Sequence, residues 1–204
     1  MELNSQIAQI LSKVNNLKMK DQFFHVFGAS THQYNFNPTK SDEELQAFEE
    51  RFNIQLPAEY RCFLKVVCNG GGGPYYGVEP LENSLFLSLD YPDTNFINNP
   101  SLKFLFTDAW NMNLGDSDED GFEDREKEYF DTKWSNGLLR ISNFGCGISI
   151  NLVVNGEEYG NIWVDDRCND NGIYPYKNSE NAKRVGFLDW YESWLDTALL
   201  QAGD

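Results

Sequence analysis

The sequence predicts an α+β fold: a single domain whose antiparallel-rich, twisted sheet is flanked by N-terminal and C-terminal helices. Three observations carry that prediction. Apolar residues recur at helical spacing at both ends of the chain, short β-like runs lie between them, and 204 residues fit one domain with its own core. With 41% hydrophobic and 15% aromatic residues, the interior is well supplied and general disorder is excluded.

In chain order, Ile7, Ile10, Leu11, Val14 and Leu17 predict an amphipathic helix over residues 3–18. Residues 21–38 read as irregular or extended. A second helix opens with a capping box, Ser41 as N-cap and Glu44 three residues on, and Leu45, Phe48 and Phe52 face its core side. Pro57 fits the first turn of a third helix, with Tyr60, Phe63, Leu64 and Val67 as its buried stripe and Asn69-Gly70 as a left-handed stop. Tyr75–Val78 and Leu85–Leu89 are short strand candidates, and Phe104–Trp110 a short helix or strand within a loop-rich stretch. Leu138–Ser142, Ile148–Val154 and Tyr159–Asp165 read as clearer strands, with Asn155-Gly156 as a hairpin turn between the last two. A final helix is expected from about Gly186 to Gln201, with Phe187, Trp190, Trp194, Leu195 and Ala198 on one face. Residues 1–37 are thus read as an N-terminal helical extension packed on the domain. Residues 38–204 form the α+β domain proper, with an acidic insertion at about 91–137.

Charge restricts the function. The net charge is −16, and residues 108–131 alone hold ten acidic and two basic groups. Such a field repels nucleic acid and anionic membranes and attracts a basic partner. No run approaches the length of a membrane helix, and polar residues break up the apolar positions of the first twenty residues. The expected location is therefore the cytoplasm, without a signal peptide. Cys62, Cys68, Cys146 and Cys168 form no CxxC pair, and with His25 and His32 they match no zinc-finger spacing.

Chemical motifs are few. Asn69–Gly73 lacks the preceding strand and following Lys of a phosphate loop, so it reads as a helix stop with close backbone approach. Asp116, Asp118, Asp120 and Gly121 open like a calcium loop, and Asp124 falls at its ninth position. Lys127 stands where the bidentate Glu belongs. A calcium-binding module is accordingly one alternative, and a solvated or partner-facing acidic loop is the main reading. No G-x-S-x-G motif and no activated Cys is evident, and the adjacent Asp165 and Asp166 are the only carboxylate pair singled out. A non-enzyme without cofactor is expected.

The segment Phe48–Gly73, FEERFNIQLPAEYRCFLKVVCNGGGG, resembles the hallmark of the SUKH superfamily, which includes fungal cell-wall-synthesis regulators. Glu49 or Glu50, Leu56, Pro57, Tyr60, Phe63, Leu64, Asn69, Gly70 and Gly71 occupy the hallmark's places. Leu138–Phe144, Gly147, Gly160–Val164 with Trp163, and Phe187, Leu188 and Trp190 follow in the family's order. The resemblance implies an α+β fold without catalytic residues. It also implies the bacterial members' role as immunity proteins, which bind and neutralise a polymorphic or contact-dependent toxin domain, often a nuclease. A regulatory scaffold like the fungal members is the alternative. For the immunity role, Asp116, Asp118, Glu119, Asp120, Glu123 and Asp124 are the expected steering patch toward a basic toxin. Trp110, Phe122, Tyr129 and Phe130 are the expected anchors.

Overall fold

The computed structural model describes residues 3–86, 98–178 and 184–203. Among them the order is α1 (Leu3–Lys20), α2 (Ala29–His32), α3 (Asp42–Phe52), α4 (Ala58–Val66), α5 (Phe122–Tyr129), β1 (Leu138–Gly145), β2 (Ile148–Val153), β3 (Ile162–Asp166), β4 (Gly172–Pro175) and α6 (Phe187–Gln201). This is the expected α+β arrangement, an antiparallel sheet with helices before and after it.

Local sequence explains the helices. Ile7, Ile10, Val14 and Leu17 bury one stripe of α1, while Lys18 and Lys20 complement the negative end of its dipole. Its polar edge is tied to α6 by Lys13, 2.8 Å from Glu192 and 2.5 Å from Asp196. The capping box of α3 forms: Glu44 N–H donates to Ser41 Oγ at 3.2 Å, and Ser41 N–H donates to Glu44 Oε2 at 2.8 Å. Such a cap contributes about 1 kcal/mol. Glu49, not Glu50, fixes the next corner, accepting the Leu56 N–H at 2.8 Å and facing Arg61 at 3.4 Å. Pro57 is the N-cap of α4, one residue ahead of the first turn. Tyr60, Phe63, Leu64 and Val67 are all buried.

The hallmark meets α6 directly. Phe187 packs on Tyr60 and Phe63, with ring centroids 4.7 and 4.9 Å away. Glu59 accepts the Leu188 N–H at 3.1 Å, so a carboxylate on α4 caps the positive end of α6. The glycine tract makes the close approach possible. A Cβ on Gly71 would lie 2.2 Å from the Asn35 carbonyl oxygen, and the Tyr191 hydroxyl donates to the Gly72 carbonyl at 2.7 Å.

The sheet runs β1-β2-β3-β4, antiparallel throughout. Leu139, Ile141, Ile150, Leu152, Ile162 and Val164 join the main core with the helices. Three expectations needed correction. The tight two-residue hairpin is at Cys146-Gly147, both at positive φ (51° and 77°), as a type I′ turn requires. Asn155-Gly156 instead lies in the longer β2–β3 connection and anchors another segment: Phe104 N–H donates to the Asn155 carbonyl at 2.8 Å. Tyr75–Val78 is a turn with isolated bridges from Val78 to Gly71 and Ser142 rather than a strand, and most of Leu85–Leu89 lies outside the described residues. β4 went unread because Gly172 and Pro175 are turn residues by type.

The far face of the sheet is covered by the middle segment. Leu138, Val153, Trp163 and Ile173 form a second core with Phe104, backed by Phe106, Trp110 and Trp134. Phe104 and Trp110 make single bridges to Gly156 and Ile173, so Phe104–Trp110 is neither helix nor strand. The Trp110 bridge closes the outer edge of β4 at Ile173, and the missing N–H of Pro175 blunts it further.

His32 is 8% exposed, its Nδ1 accepting the Tyr34 N–H at 3.0 Å. Burial holds its imidazole down to about 4, against the opposing charge of Asp21. The unfolded chain therefore takes up a proton first. Stability is full above about pH 6.5 and falls as the pH drops toward 4, by about 3 kcal/mol in all. Thermal melts between about pH 7 and pH 4.5 should show a flatter pH dependence for His32→Gln than for the parent. Parallel curves would exclude His32 as a source of acid lability.

Candidate partner-binding surface

The acidic segment is folded, not a bare loop. Arg125, on α5, gathers the turn before it. Its Nε donates to the Leu114 carbonyl at 2.7 Å, Nη1 to the Asp120 carbonyl at 3.1 Å, and Nη2 to Glu119 Oε2 at 3.1 Å. This intramolecular guanidinium shapes the turn through two backbone carbonyls and the Glu119 carboxylate. Among the described residues no group of three or more His, Cys, Asp or Glu side chains converges as a metal site. Asp116, Asp118, Asp120 and Asp124, the residues of the calcium reading, are exposed and belong to no such group.

A second arginine fastens the segment to the sheet. Arg167 is 5% exposed and grips Asp165 through two contacts, Nε to Oδ1 at 2.9 Å and Nη2 to Oδ2 at 2.7 Å. It also donates to the carbonyls of Tyr129 (2.9 Å) and Asp131 (3.2 Å) and to Ser135 Oγ (2.8 Å). Asp166 is equally committed, accepting from Asn169, Asn171 and Tyr174 at 2.7, 2.9 and 3.2 Å. Burial, then the Asp166 charge, pushes the Tyr174 phenol up to about 12. Both aspartates are engaged in holding the fold together.

The expected site residues separate into two groups. Asp116, Asp118, Glu119, Asp120, Glu123 and Asp124 are all exposed, with Glu119 paired to Arg125. Phe122 and Phe130 line a groove of about 690 Å³ together with Met112, Leu114, Glu126 and Asp170. Apolar side chains and carboxylates thus share one concavity. Tyr129 is fully buried, its ring 5.6 Å from that of Trp110, and its hydroxyl donates to Asn111 at 2.8 Å. Trp110 is half-buried between Phe106, Tyr129 and Trp134. As anchors, Tyr129 is excluded by burial and Trp110 largely by stacking; both hold the acidic segment on the second core.

A second surface, which the residue pattern did not suggest, adjoins the first across the Cys146-Gly147 turn. Phe27, Tyr76 and Phe144 are 54%, 42% and 39% exposed. Phe27 lies 5.5 Å from Tyr76 and 6.1 Å from Phe144, and Phe144 lies 4.5 Å from Tyr75. A groove of about 360 Å³ continues the patch over Ile148, Tyr174, Tyr176 and Lys177. Asp21 holds the turn that presents Phe27: buried, it accepts N–H groups of His25 and Val26 at 2.7 and 3.1 Å and the Tyr34 hydroxyl at 2.5 Å. Burial opposes its ionisation, but these hydrogen bonds more than offset that and keep its carboxyl below the ordinary range.

One signal for this patch is present in the sequence. Residues 22–41, 60–78, 132–156 and 171–178 contain no Asp or Glu, in a chain with 32 of them. These stretches supply the patch and nearly all of its groove. The surface around the hairpin tip therefore has an acid-free aromatic side and a carboxylate-rich side.

Fold and surface together define a helix-flanked α+β domain that exposes aromatic and acidic residues on either side of one hairpin tip. A family model described as the SMI1 / KNR4 family (SUKH-1) matches residues 40–184, and the chain belongs to that family. No curated protein and no solved structure gives a significant match. Among the described residues, no helix is long and apolar enough to cross a membrane.

Proposed function

We propose that this protein is a cytoplasmic, non-catalytic immunity protein that binds and neutralises a cognate polymorphic or contact-dependent toxin domain with a basic surface. The observation that carries the reading is the pairing, on a SUKH-family domain, of a groove of mixed polarity that holds carboxylates and two phenylalanines with an acid-free aromatic patch across one hairpin tip. The carboxylates steer a basic partner, and the nucleic-acid cleft of a nuclease is the matching case. Phe122 and Phe130 on one side, and Phe27, Tyr76 and Phe144 on the other, supply desolvated aromatic contacts, which carry most interface energy.

The test is co-expression with the toxin encoded beside this gene. The parent should co-purify with the toxin and abolish its lethality. A variant with Asp116, Asp118 and Asp120 changed to Asn and Glu123 to Gln should protect less and bind more slowly at low salt, and its deficit against the parent should shrink as salt rises. A parent that neither binds nor protects against that toxin would refute the immunity role.

A further inference from the structure

Cys146 and Cys168 are two exposed thiols brought together by the sheet, at the junction between the two halves of the surface. The β2–β3 register pairs Ser149 with Asp165. Two residues past the strand ends, Cys146 sits in the β1–β2 turn and Cys168 in the 3₁₀ turn Arg167–Asn169. The contacts agree: Cys168 Sγ lies 3.1 Å from the Cys146 carbonyl oxygen, and a Cβ on the intervening Gly147 would come within 2.7 Å of that sulfur. A sulfur this close to the other cysteine's own backbone meets the short reach that a disulfide requires of its two residues. Cys62 and Cys68, by contrast, are half-buried and buried in the helical layer.

We infer that Cys146 and Cys168 form a reversible disulfide, a redox latch between the β1–β2 hairpin tip and the wall of the acidic groove. The oxidant is a low-molecular-weight disulfide such as glutathione disulfide. The thiolate of one cysteine attacks it, forming a mixed disulfide and releasing one thiol. The second cysteine's thiolate then displaces the other thiol, so two protein thiols are oxidised, one disulfide is reduced, and the two protein protons pass to the two glutathione thiols released. Burial, then the neighbouring Asp166 and Asp165, holds the Cys168 thiol above its ordinary value. Cys168 therefore suits the second, intramolecular step, where proximity offsets a small thiolate fraction, and Cys146 at the exposed turn suits the first. Because Cys168 lines the groove beside Phe122 and Phe130, closing the bond moves its sulfur and restricts the hairpin tip between the two faces. The latch requires no particular partner on the surface, so it can be tested independently of the immunity role.

The experiment treats the folded, full-length chain with glutathione disulfide, quenches with an alkylating agent under native conditions, and maps peptides by mass spectrometry. The expected result is a peptide pair cross-linked between Cys146 and Cys168 and a mass lower by two hydrogens. The melting temperature should rise by roughly 5 °C or more, and reduction should reverse it. Cys146→Ser should carry a stable glutathione adduct at Cys168 or none, and melt at the same temperature in both conditions. Adducts on both thiols of the parent without the cross-link would overturn the inference. So would a cross-link that forms only after denaturation.

Discussion

Replacing Arg167 with Met is expected to cost about 3 to 5 kcal/mol, the usual penalty for removing one partner of a buried ion pair. The guanidinium touches Asp165, Ser135 and the carbonyls of Tyr129 and Asp131 at 2.7 to 3.2 Å, in a position 5% exposed. Met fills the space but leaves the Asp165 carboxylate without its cation and two carbonyls without this donor. The loss should be concentrated where the bonds are. Hydrogen exchange across residues 110–135 should accelerate more than across α1 or α6, and the urea midpoint should fall. Arg167→Lys should recover only part of the stability, since an ammonium cannot reproduce the two-point grip on Asp165. A urea series in which Arg167→Met costs under about 1 kcal/mol would show that the segment is held by its aromatic packing alone.

The second large effect concerns binding, and the two halves of the surface should fail differently. Changing the exposed carboxylates around α5 to amides removes a long-range field, so the association rate should fall by ~10- to 10³-fold at low salt. The dissociation rate should change little, because these side chains lie at the rim. Phe27→Ser with Phe144→Ser removes contact area instead. At about 2 kcal/mol for a buried aromatic anchor, dissociation should accelerate by ~30-fold or more, with little change in association. Neither variant disturbs the main core: Phe27 and Phe144 are substantially exposed, and the carboxylates are exposed.

The helical half of this fold was legible because its signals are local. Ser41 and Glu44 lie three residues apart, and Tyr60, Phe63, Leu64 and Val67 fall on one helical stripe. The hallmark around Leu56-Pro57 was readable for the same reason, although only the structure singles out Glu49 through its bond to Leu56. Non-local features were not legible. Nothing near Arg167 in the sequence indicates that it reaches Tyr129 and Asp131. Asn155-Gly156 has the composition of a tight turn, yet its role is set by Phe104, far away in the chain. For the surface, counting acids located the carboxylates correctly as exposed groups. Ring type alone could not tell Phe122 and Phe130, which line a groove, from Tyr129, which is buried. The aromatic patch escaped because Phe27, Tyr76 and Phe144 come from three separate segments. Only the missing carboxylates of those segments hinted that they share a face.

The central claim, that a partner is held across the hairpin tip by an acidic half and an aromatic half, is tested most directly by binding kinetics with the purified cognate toxin. Association and dissociation rates should be measured at low and high salt for the parent, the amide variant and the Phe27→Ser, Phe144→Ser variant. The prediction is a split: slowed association for the amide variant that vanishes at high salt, and hastened dissociation for the aromatic variant at every salt concentration. Rates for both variants indistinguishable from the parent would contradict it and place the partner on another face.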